Sequence, residues 1–137
     1  MTETTSRPPQ AINLRVRYAE TDKMGVVYYA NYFVWFEVGR CELIRAIGKS
    51  YRDLEEAGIG LPVIEAHCEY KSPARYDDEV QVKTWGTLLS PARVEFRYEV
   101  SQVIDGTVNA VGRTVHAAVD QNGRPCRLPD DIRDLLK

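Results

Sequence analysis

Residues 31–47 read NYFVWFEVGRCELIRAI, and this stretch decides how the rest of the chain folds. Its first half, Tyr32 to Phe36, is apolar on nearly every side of a helix, and its second half is amphipathic. Asn31 is a suitable N-cap and Gly48 a suitable end. A helix that is apolar all round has to be covered by other parts of the chain. We therefore expect one long helix from Asn31 to Ile47, with the remaining elements packed around it.

The sequence on both sides of this helix predicts mainly strands. Apolar and polar residues alternate from Ile12 to Tyr18, which is typical of a half-buried strand, and a loop over residues 19–30 follows. After the long helix we expect a short one from Tyr51 to Ala57, capped by Ser50. The later alternating segments predict strands around residues 64–70, 80–84, 94–100 and 108–120, with a terminal helix starting at Pro129.

The connections between the later strands are short. Asp105-Gly106 is typical of a tight hairpin turn, and Asn122-Gly123 marks a second turn. Strands joined by such turns run antiparallel. The order of one strand, one long helix and four strands therefore predicts an α+β domain, in which a five-stranded antiparallel sheet wraps around the helix. Residues 1–10 are polar and contain two prolines, so we expect a disordered tail followed by a single domain over residues 11–137.

Composition excludes several classes of protein. With 137 residues and a net charge of −2, the chain carries no field that attracts nucleic acid or anionic membranes. No apolar run reaches the roughly 20 residues of a transmembrane helix, and the polar N-terminus lacks a signal-peptide stretch. The three cysteines fit no C-x-x-C pattern, and their odd number favours a reducing compartment. We expect a cytoplasmic protein with no membrane span and no nucleic-acid partner.

The loop before the long helix carries the most distinctive residues. Asp22 is ionised at neutral pH and can act as a nucleophile or a general base. Gly25 permits close approach of backbone or ligand. A helix that begins shortly after it would direct free N–H groups and its positive dipole end towards Asp22. Taken alone, however, these residues are explained as simply by an Asx turn and an ordinary turn glycine.

The whole segment resembles the signature of the 4-hydroxybenzoyl-CoA thioesterase family of hotdog-fold proteins, especially its tol-pal-associated acyl-CoA thioesterase branch. The family pattern is roughly Asp-Thr-Asp-x-x-Gly-x-Val-Tyr-(His/Tyr)-x-x-Tyr, followed by an aromatic helix with Phe-Glu-x-x-Arg. The matching residues here are Glu20-Thr21-Asp22, Gly25, Val27-Tyr28-Tyr29, Tyr32, Phe36-Glu37 and Arg40. Further similar segments are Leu61-Pro62-Val63, Tyr70 to Ala74 and Asp77-Asp78, so the resemblance covers roughly residues 12–120.

The resemblance implies the hotdog fold and hydrolysis of acyl-CoA, without a cofactor because coenzyme A is part of the substrate. It implies Asp22 as the catalytic carboxylate, by direct attack or as a general base, and the backbone amide of Tyr29 as the main oxyanion donor. Many relatives carry His at the position of Tyr29, so an imidazole role does not carry over. A dimer whose sheets join edge to edge, often assembled into a tetramer, with active sites at the interface, is also implied.

Glu37 and Arg40 are expected in supporting roles. They lie three residues apart on the helix, which allows an ion pair. Because other hotdog proteins place a catalytic carboxylate on this helix, Glu37 is also a rival to Asp22. The two histidines, His67 and His116, are expected to be structural or exposed, and no set of three ligands has the spacing of a metal site.

Substrate binding needs an apolar pocket for the acyl group and cations for the phosphates of coenzyme A. Lys71, Arg75 and Arg93 are candidate cations, although ordinary solvated charges explain them as well. Some relatives carry a basic cluster just before the strand of Arg93, which is absent here. Its absence favours an acyl carrier protein as an alternative substrate carrier, and a non-catalytic acyl-binding module is a third hypothesis. The residues expected to line the pocket are Tyr18, Val27 and Tyr28.

Overall fold

The computed structural model describes residues 8–49 and 51–136, without the side chain of Tyr51. Residues 1–7 of the expected tail and the expected cap Ser50 lie outside this part. The strand β1 begins at Gln10, inside the range expected for the tail. A short 3₁₀ helix, Tyr18–Glu20, precedes the long helix. The other elements, in chain order, are β1 (Gln10–Arg15), α1 (Asn31–Ala46), α2 (Tyr51–Glu56), β2 (Val63–Tyr70), β3 (Glu79–Ser90), β4 (Arg93–Gln102), β5 (Val108–Ala117) and α3 (Asp130–Leu136).

The five strands form one antiparallel sheet in the order β1-β3-β4-β5-β2. Tight turns join β3 to β4 and β4 to β5, so these three strands are neighbours in space as in sequence. Gly106 in the second of these turns has a φ of 75°. A residue with a side chain would be strained in that conformation, so the turn needs glycine here. The chain between β1 and β2 contains α1, which packs on β1, β3 and β4. This arrangement confirms the expected α+β hotdog fold.

The core lies between α1 and the inner face of the sheet. Phe36 is fully buried, and its ring stacks on Tyr98 with 4.2 Å between ring centroids. The inner face of β4 is buried along its length, as the alternation of its sequence predicted. Gly112 on β5 makes room for the helix, since a Cβ atom there would lie 2.4 Å from the Phe36 ring. The absence of this one side chain lets helix and sheet approach closely.

A chain of hydrogen bonds runs through the core around His116. Its Nδ1 lies 2.9 Å from the carbonyl oxygen of Leu61, which can only accept, so Nδ1 carries the proton. Nε2 then accepts from the Thr114 hydroxyl at 2.9 Å, and that hydroxyl accepts from the Tyr98 hydroxyl at 2.6 Å. Burial lowers the pKa of His116 below its ordinary value. The structure therefore confirms the expectation of a structural histidine here.

Three local expectations were wrong. Tyr18 belongs to the 3₁₀ helix and not to a strand, because β1 ends at Arg15. Asn31 is the first residue of α1 and not its cap; its side-chain amide donates to the carbonyl oxygen of Glu20 at 2.9 Å instead. The helix is covered on one side only, and Val34 on the other side is 48% exposed.

The strand β2 is an edge strand that is exposed on both faces. It pairs with β5 on one side only, and of its residues only Cys68 is half-buried. Its apolar residues include Val63, Ile64 and Tyr70, each more than 40% exposed. The alternation along β2 predicted a buried face, but the helix packs on the opposite part of the sheet. Among the described residues no helix is long and apolar enough to cross a membrane.

Candidate active site

Asp22 opens a tight turn that ends at Gly25. The Gly25 amide donates to the Asp22 carbonyl oxygen at 2.9 Å, and the Asp22 amide donates to the carbonyl oxygen of Val26 at 2.9 Å. The Oδ1 atom of Asp22 accepts from the amides of Met24 at 2.9 Å and Val26 at 3.4 Å. Gly25 has a φ of 78°, so a residue with a side chain would be strained there. The Asx turn thus exists, and it holds an exposed carboxylate in a defined orientation.

The rest of the loop is fastened to the connection between β2 and β3. The amide of buried Val27 donates to the carbonyl oxygen of Ala74 at 2.8 Å, and Val26 pairs with Arg75 in an isolated bridge. The Tyr28 amide donates back to the Glu20 carbonyl oxygen at 2.8 Å. These bonds on both sides of Asp22 give the carboxylate a fixed place beside the first turn of α1.

The Tyr29 amide lies just before the start of α1. The first bonds of α1 run from the amides of Tyr32 and Phe33 to the carbonyl oxygens of Tyr29 and Ala30. Within residues 8–49 and 51–136, no protein acceptor takes the N–H of Tyr29. This amide lies at the N-terminal end of a 16-residue helix, where the helix dipole adds positive potential. The geometry therefore offers the kind of donor that stabilises an oxyanion.

Asp22 and Tyr29 line the same cavity, which has a volume of about 350 Å³. Its other walls include Val27 and the rings of Tyr32 and Tyr70, which meet edge to face at 5.3 Å. The hydroxyl of Tyr70 donates to the Tyr29 carbonyl oxygen at 3.1 Å. Burial raises the pKa of Tyr32 to about 12, so its phenol stays neutral. The cavity, called the tyrosine pocket below, is an aromatic space that Lys71 also lines and that opens onto the Asp22 carboxylate.

A second cavity of about 650 Å³ lies on another side of Asp22. It is lined by Lys23 and by the exposed rings of Tyr18 and Tyr76, whose centroids are 5.7 Å apart. Tyr18, which was expected to line the acyl pocket, lines this outer cavity. Tyr28 lines neither cavity and packs against the Tyr29 ring at 4.7 Å. Of the predicted pocket residues, Val27 alone lines the tyrosine pocket.

Arg75 and Arg93, two of the candidate cations, lie at different ends of the sheet. Arg75 is next to the loop through its pairing with Val26. Arg93 begins β4 and pairs with Ser90 and Ala117, whereas the other end of β4 pairs with Val80 near the loop. Nine residues of strand separate these ends, which is about 30 Å. A single chain therefore does not bring Arg93 to Asp22.

Glu37 and Arg40 line a separate cavity of about 240 Å³ between α1 and β2. Arg40 Nη1 lies 3.5 Å from the Tyr98 hydroxyl, so it touches the end of the buried hydrogen-bond chain. Glu37 is exposed and shares no cavity with Asp22. Their predicted ion pair stays a prediction. Within the described part of the chain, no three His, Cys, Asp or Glu side chains are grouped as metal ligands.

Glu20 is a residue of this site whose role the sequence did not reveal. Its side chain is only 8% exposed. Oε2 accepts from the indole N–H of Trp35 at 3.0 Å, and Oε1 accepts from the amide of Arg17 at 2.8 Å. The sequence holds one clue to this role of Glu20. A Trp in the apolar part of a helix needs an acceptor for its N–H, and Glu20, two residues before Asp22, is a carboxylate close to the helix in sequence.

Comparisons with known proteins identify the family of this chain. Residues 16–136 match the family model described as the thioesterase-like superfamily. YneP of Bacillus subtilis, which carries the provisional name of an acyl-CoA thioesterase, is 38% identical over 79% of this chain and 78% of its own length. The acyl-CoA thioester hydrolase YbgC of Escherichia coli O6:H1 is 29% identical, over 87% of this chain and 89% of its own.

Among solved structures, the DHNA-CoA thioesterase from Staphylococcus aureus has a TM-score of 0.83 and 38% identity. The superposition covers 88% of this chain and 80% of the other. A 1,4-dihydroxy-2-naphthoyl-CoA thioesterase from Synechocystis shares the fold with a TM-score of 0.88 at 22% identity. The chain therefore belongs to the thioesterase-like superfamily of hotdog-fold thioester hydrolases.

Proposed function

We propose that this protein hydrolyses acyl-coenzyme A thioesters, with Asp22 as the catalytic carboxylate. The observation that carries the proposal is that Asp22 and Tyr29 line one aromatic cavity, and that the Tyr29 amide has no protein acceptor among the described residues. The names of YneP and YbgC, and that of the Staphylococcus aureus protein, support coenzyme A as the thiol carrier. No cofactor takes part in this proposal, because a carboxylate, a water molecule and an amide donor suffice for the reaction.

The reaction follows from the positions of these groups. The acyl group enters the tyrosine pocket, and its carbonyl oxygen accepts a hydrogen bond from the Tyr29 amide. The Asp22 carboxylate either attacks the carbonyl carbon directly or removes a proton from an attacking water molecule. The C–O bond forms, negative charge develops on the carbonyl oxygen near the helix N-terminus, and the C–S bond breaks. On the water route, Asp22 passes the proton that it has taken to the sulfur, which leaves as free coenzyme A, and the acyl group leaves as a carboxylic acid. On the direct route, coenzyme A leaves as a thiolate, and a water molecule then hydrolyses the acyl–Asp22 anhydride to the acid, the free Asp22 carboxylate and the proton that the thiolate takes up.

The outer cavity is the proposed place for the coenzyme A part of the substrate. Lys23 lines it, and Arg75 pairs with the neighbouring strand of the loop. Cations at the mouth of a cavity suit phosphate groups. The exposed pair of Tyr18 and Tyr76 presents aromatic surface on which an adenine ring could stack. The thioester would then cross from one cavity to the other at Asp22.

Self-association is part of the proposal. An exposed apolar edge strand is a surface that natural proteins cover, and β2 meets that description. If two β2 strands pair antiparallel about a two-fold axis, the Arg93 end of one sheet lies beside the Asp22 end of the next. The same pairing covers Val34 and the cavity of Glu37 and Arg40. Replacing Ile64 with Lys should convert the assembly to monomers in sedimentation velocity, and an unchanged assembly would contradict this arrangement.

The first experiment follows free-thiol release from a panel of aromatic, short-chain and long-chain acyl-CoAs. The variant Asp22→Asn keeps a side-chain oxygen that can accept from Met24 and Val26, so it should retain the turn. We expect the native protein to turn over at least one substrate and the variant to lose roughly 100-fold or more of kcat, as for loss of a general base. An active, folded variant would exclude Asp22 and leave Glu37 as the next candidate.

Two alternatives are decided by the same assay. Preference for one acyl group on an acyl carrier protein over the same group on coenzyme A would indicate a carrier-linked substrate. Tight binding of acyl-CoA without turnover would indicate a non-catalytic binding module. The cytoplasm is the proposed location, since Cys41, Cys68 and Cys126 are all free thiols.

A further inference from the structure

Glu20 is a buried carboxylate that the proposed reaction does not use directly. Its side chain is 8% exposed, although carboxylates are seldom buried without a specific partner. It lies two residues before Asp22 and 15 residues before Trp35. The cost of removing such a group from water has to be offset by hydrogen bonds.

The side chain of Glu20 connects the segment before Asp22 to α1. Oε1 accepts from the Arg17 amide at 2.8 Å and so closes the 3₁₀ helix that leads to Asp22. Oε2 accepts from the Trp35 indole N–H at 3.0 Å, which fastens the carboxylate to α1. The guanidinium of Arg17 adds a longer contact at 3.4 Å.

The backbone of Glu20 extends this connection to the amide side of the site. Its carbonyl oxygen accepts from the Tyr28 amide at 2.8 Å and from the Asn31 side-chain amide at 2.9 Å. Tyr28 precedes Tyr29, and Asn31 is the first residue of α1. One residue therefore touches the segment before Asp22, the segment before the Tyr29 amide, and the helix that both face.

We propose that Glu20 is a positioning residue, which holds the Asp22 carboxylate and the Tyr29 amide at a fixed separation by clamping their loop to Trp35. The inference rests on the proposed function for its effect on catalysis. Glu20 would then be a second acidic residue of the site, which acts by positioning Asp22 and does not touch the substrate. A misplacement of reacting groups by about 1 Å can cost on the order of 100-fold in rate, so a loose clamp should lower kcat strongly.

Two substitutions break the clamp in different ways. Glu20→Asp shortens the side chain by one C–C bond, about 1.5 Å, so it cannot reach both Arg17 and Trp35. Glu20→Gln keeps the length, but both partners are N–H donors and a Gln amide offers only one acceptor oxygen. Trp35→Phe removes the donor from the other side of the contact and tests the clamp even if a Glu20 variant does not fold.

The matched control is Glu95→Gln. Glu95 is a comparably buried carboxylate with 10% side-chain exposure, and it bonds Arg97 and Arg113 on the outer face of the sheet. Within one chain it lies towards the end of β4 that is remote from Asp22, where it pairs with Thr87 and Val115. Its substitution should destabilise the protein like any loss of a buried ion pair, without moving the Asp22 loop.

Steady-state kinetics on the best acyl-CoA, circular dichroism and Trp35 fluorescence in a Trp85→Phe background provide the readouts. We expect kcat to fall about 10- to 100-fold in all three clamp variants with KM changed by less than about threefold, while Glu95→Gln keeps its kcat. The Trp35 emission should shift in both Glu20 variants. Native-like kcat in folded Glu20→Asp and Glu20→Gln, or an equal loss in Glu95→Gln, would overturn the inference.

Failure of the proposed function is recognised separately. If the native protein cleaves no thioester, the proposed activity is wrong, yet the fluorescence still reports the contact between Glu20 and Trp35. An unshifted Trp35 emission in both Glu20 variants would overturn the clamp itself, whatever the activity.

Discussion

Replacement of Gly112 by Ala tests how closely the long helix is pressed against the sheet. A Cβ atom at this position would lie 2.4 Å from Cε2 and 2.6 Å from Cζ of Phe36, and 2.8 Å from the carbonyl oxygen of His67. Non-bonded carbon atoms prefer about 3.5–4.0 Å, so the Phe36 ring would have to retreat by more than about 1 Å. That ring is fully buried and stacked on Tyr98 at 4.2 Å, so it has little room to move.

The expected cost follows from this lack of space. Overpacking a core costs about 1–3 kcal/mol, and contacts this short with both a ring and backbone place Gly112→Ala near the upper end, about 3 kcal/mol. For a chain of this size each kcal/mol lowers Tm by roughly 3 °C, so we expect a decrease of roughly 9 °C. Differential scanning calorimetry measures Tm, and urea denaturation measures the free energy of unfolding.

A control and a rescue make this prediction specific. In Gly60→Ala the new Cβ would lie 3.4 Å from Val119 Cγ2, an ordinary contact, so its Tm should stay close to that of the native protein. Adding Phe36→Leu to Gly112→Ala should cost less than the sum of the two single changes, because the smaller side chain relieves the overlap. A Tm for Gly112→Ala within about 2 °C of native would refute the close packing inferred here.

Three further changes test other parts of the structure. Burial lowers the pKa of His116 in the folded state, so the unfolded chain binds a proton at this histidine more tightly than the folded chain does. Folding is therefore favoured fully above about pH 6.5, where His116 is neutral in both states, and the free energy of unfolding decreases as the pH falls below that value. Urea midpoints between pH 8 and pH 5 should therefore decline less steeply in His116→Asn than in the native protein, and equal slopes would contradict this. Tyr98→Phe removes the hydroxyl bonded to Thr114 at 2.6 Å and should cost about 1 kcal/mol in urea denaturation, whereas no loss would count against that bond. Asp22→Asn should leave the free energy of unfolding within about 0.5 kcal/mol of native, as expected for an exposed position that keeps its acceptor; a larger loss would mean that the carboxylate charge supports the turn.

The regular parts of the fold could be predicted because they follow from local periodicity. The alternation along β4 predicted its buried face, and Asp105-Gly106 predicted the hairpin to β5. The motif around Asp22 was likewise visible, since its residues are consecutive in the chain. Alternation of apolar and polar residues predicts burial correctly only where another part of the same chain covers the apolar face of the strand. It therefore misled for β2, whose residues are exposed except for half-buried Cys68, although Tyr70 at its end contacts Tyr32 of α1.

Tertiary pairing decided which of the candidate residues meet. Asp22 and Tyr29 are seven residues apart and share one cavity, whereas Arg93 belongs to the far end of the sheet because the register of β4 carries it there. The outward position of Tyr18 depends on where β1 ends, which alternation alone does not mark.

The sequence by itself determined the order of elements, the wrapped sheet and the loop that carries Asp22, because spacing along the chain controls secondary structure and short motifs. Only the tertiary structure decided that Glu20 is buried and bonded to Trp35, and that Phe36 needs a glycine at position 112. These facts depend on contacts between residues 15 and 76 positions apart. Such contacts depend on the register of the strands and on the position of the helix on the sheet, and no local pattern of residue types predicts them.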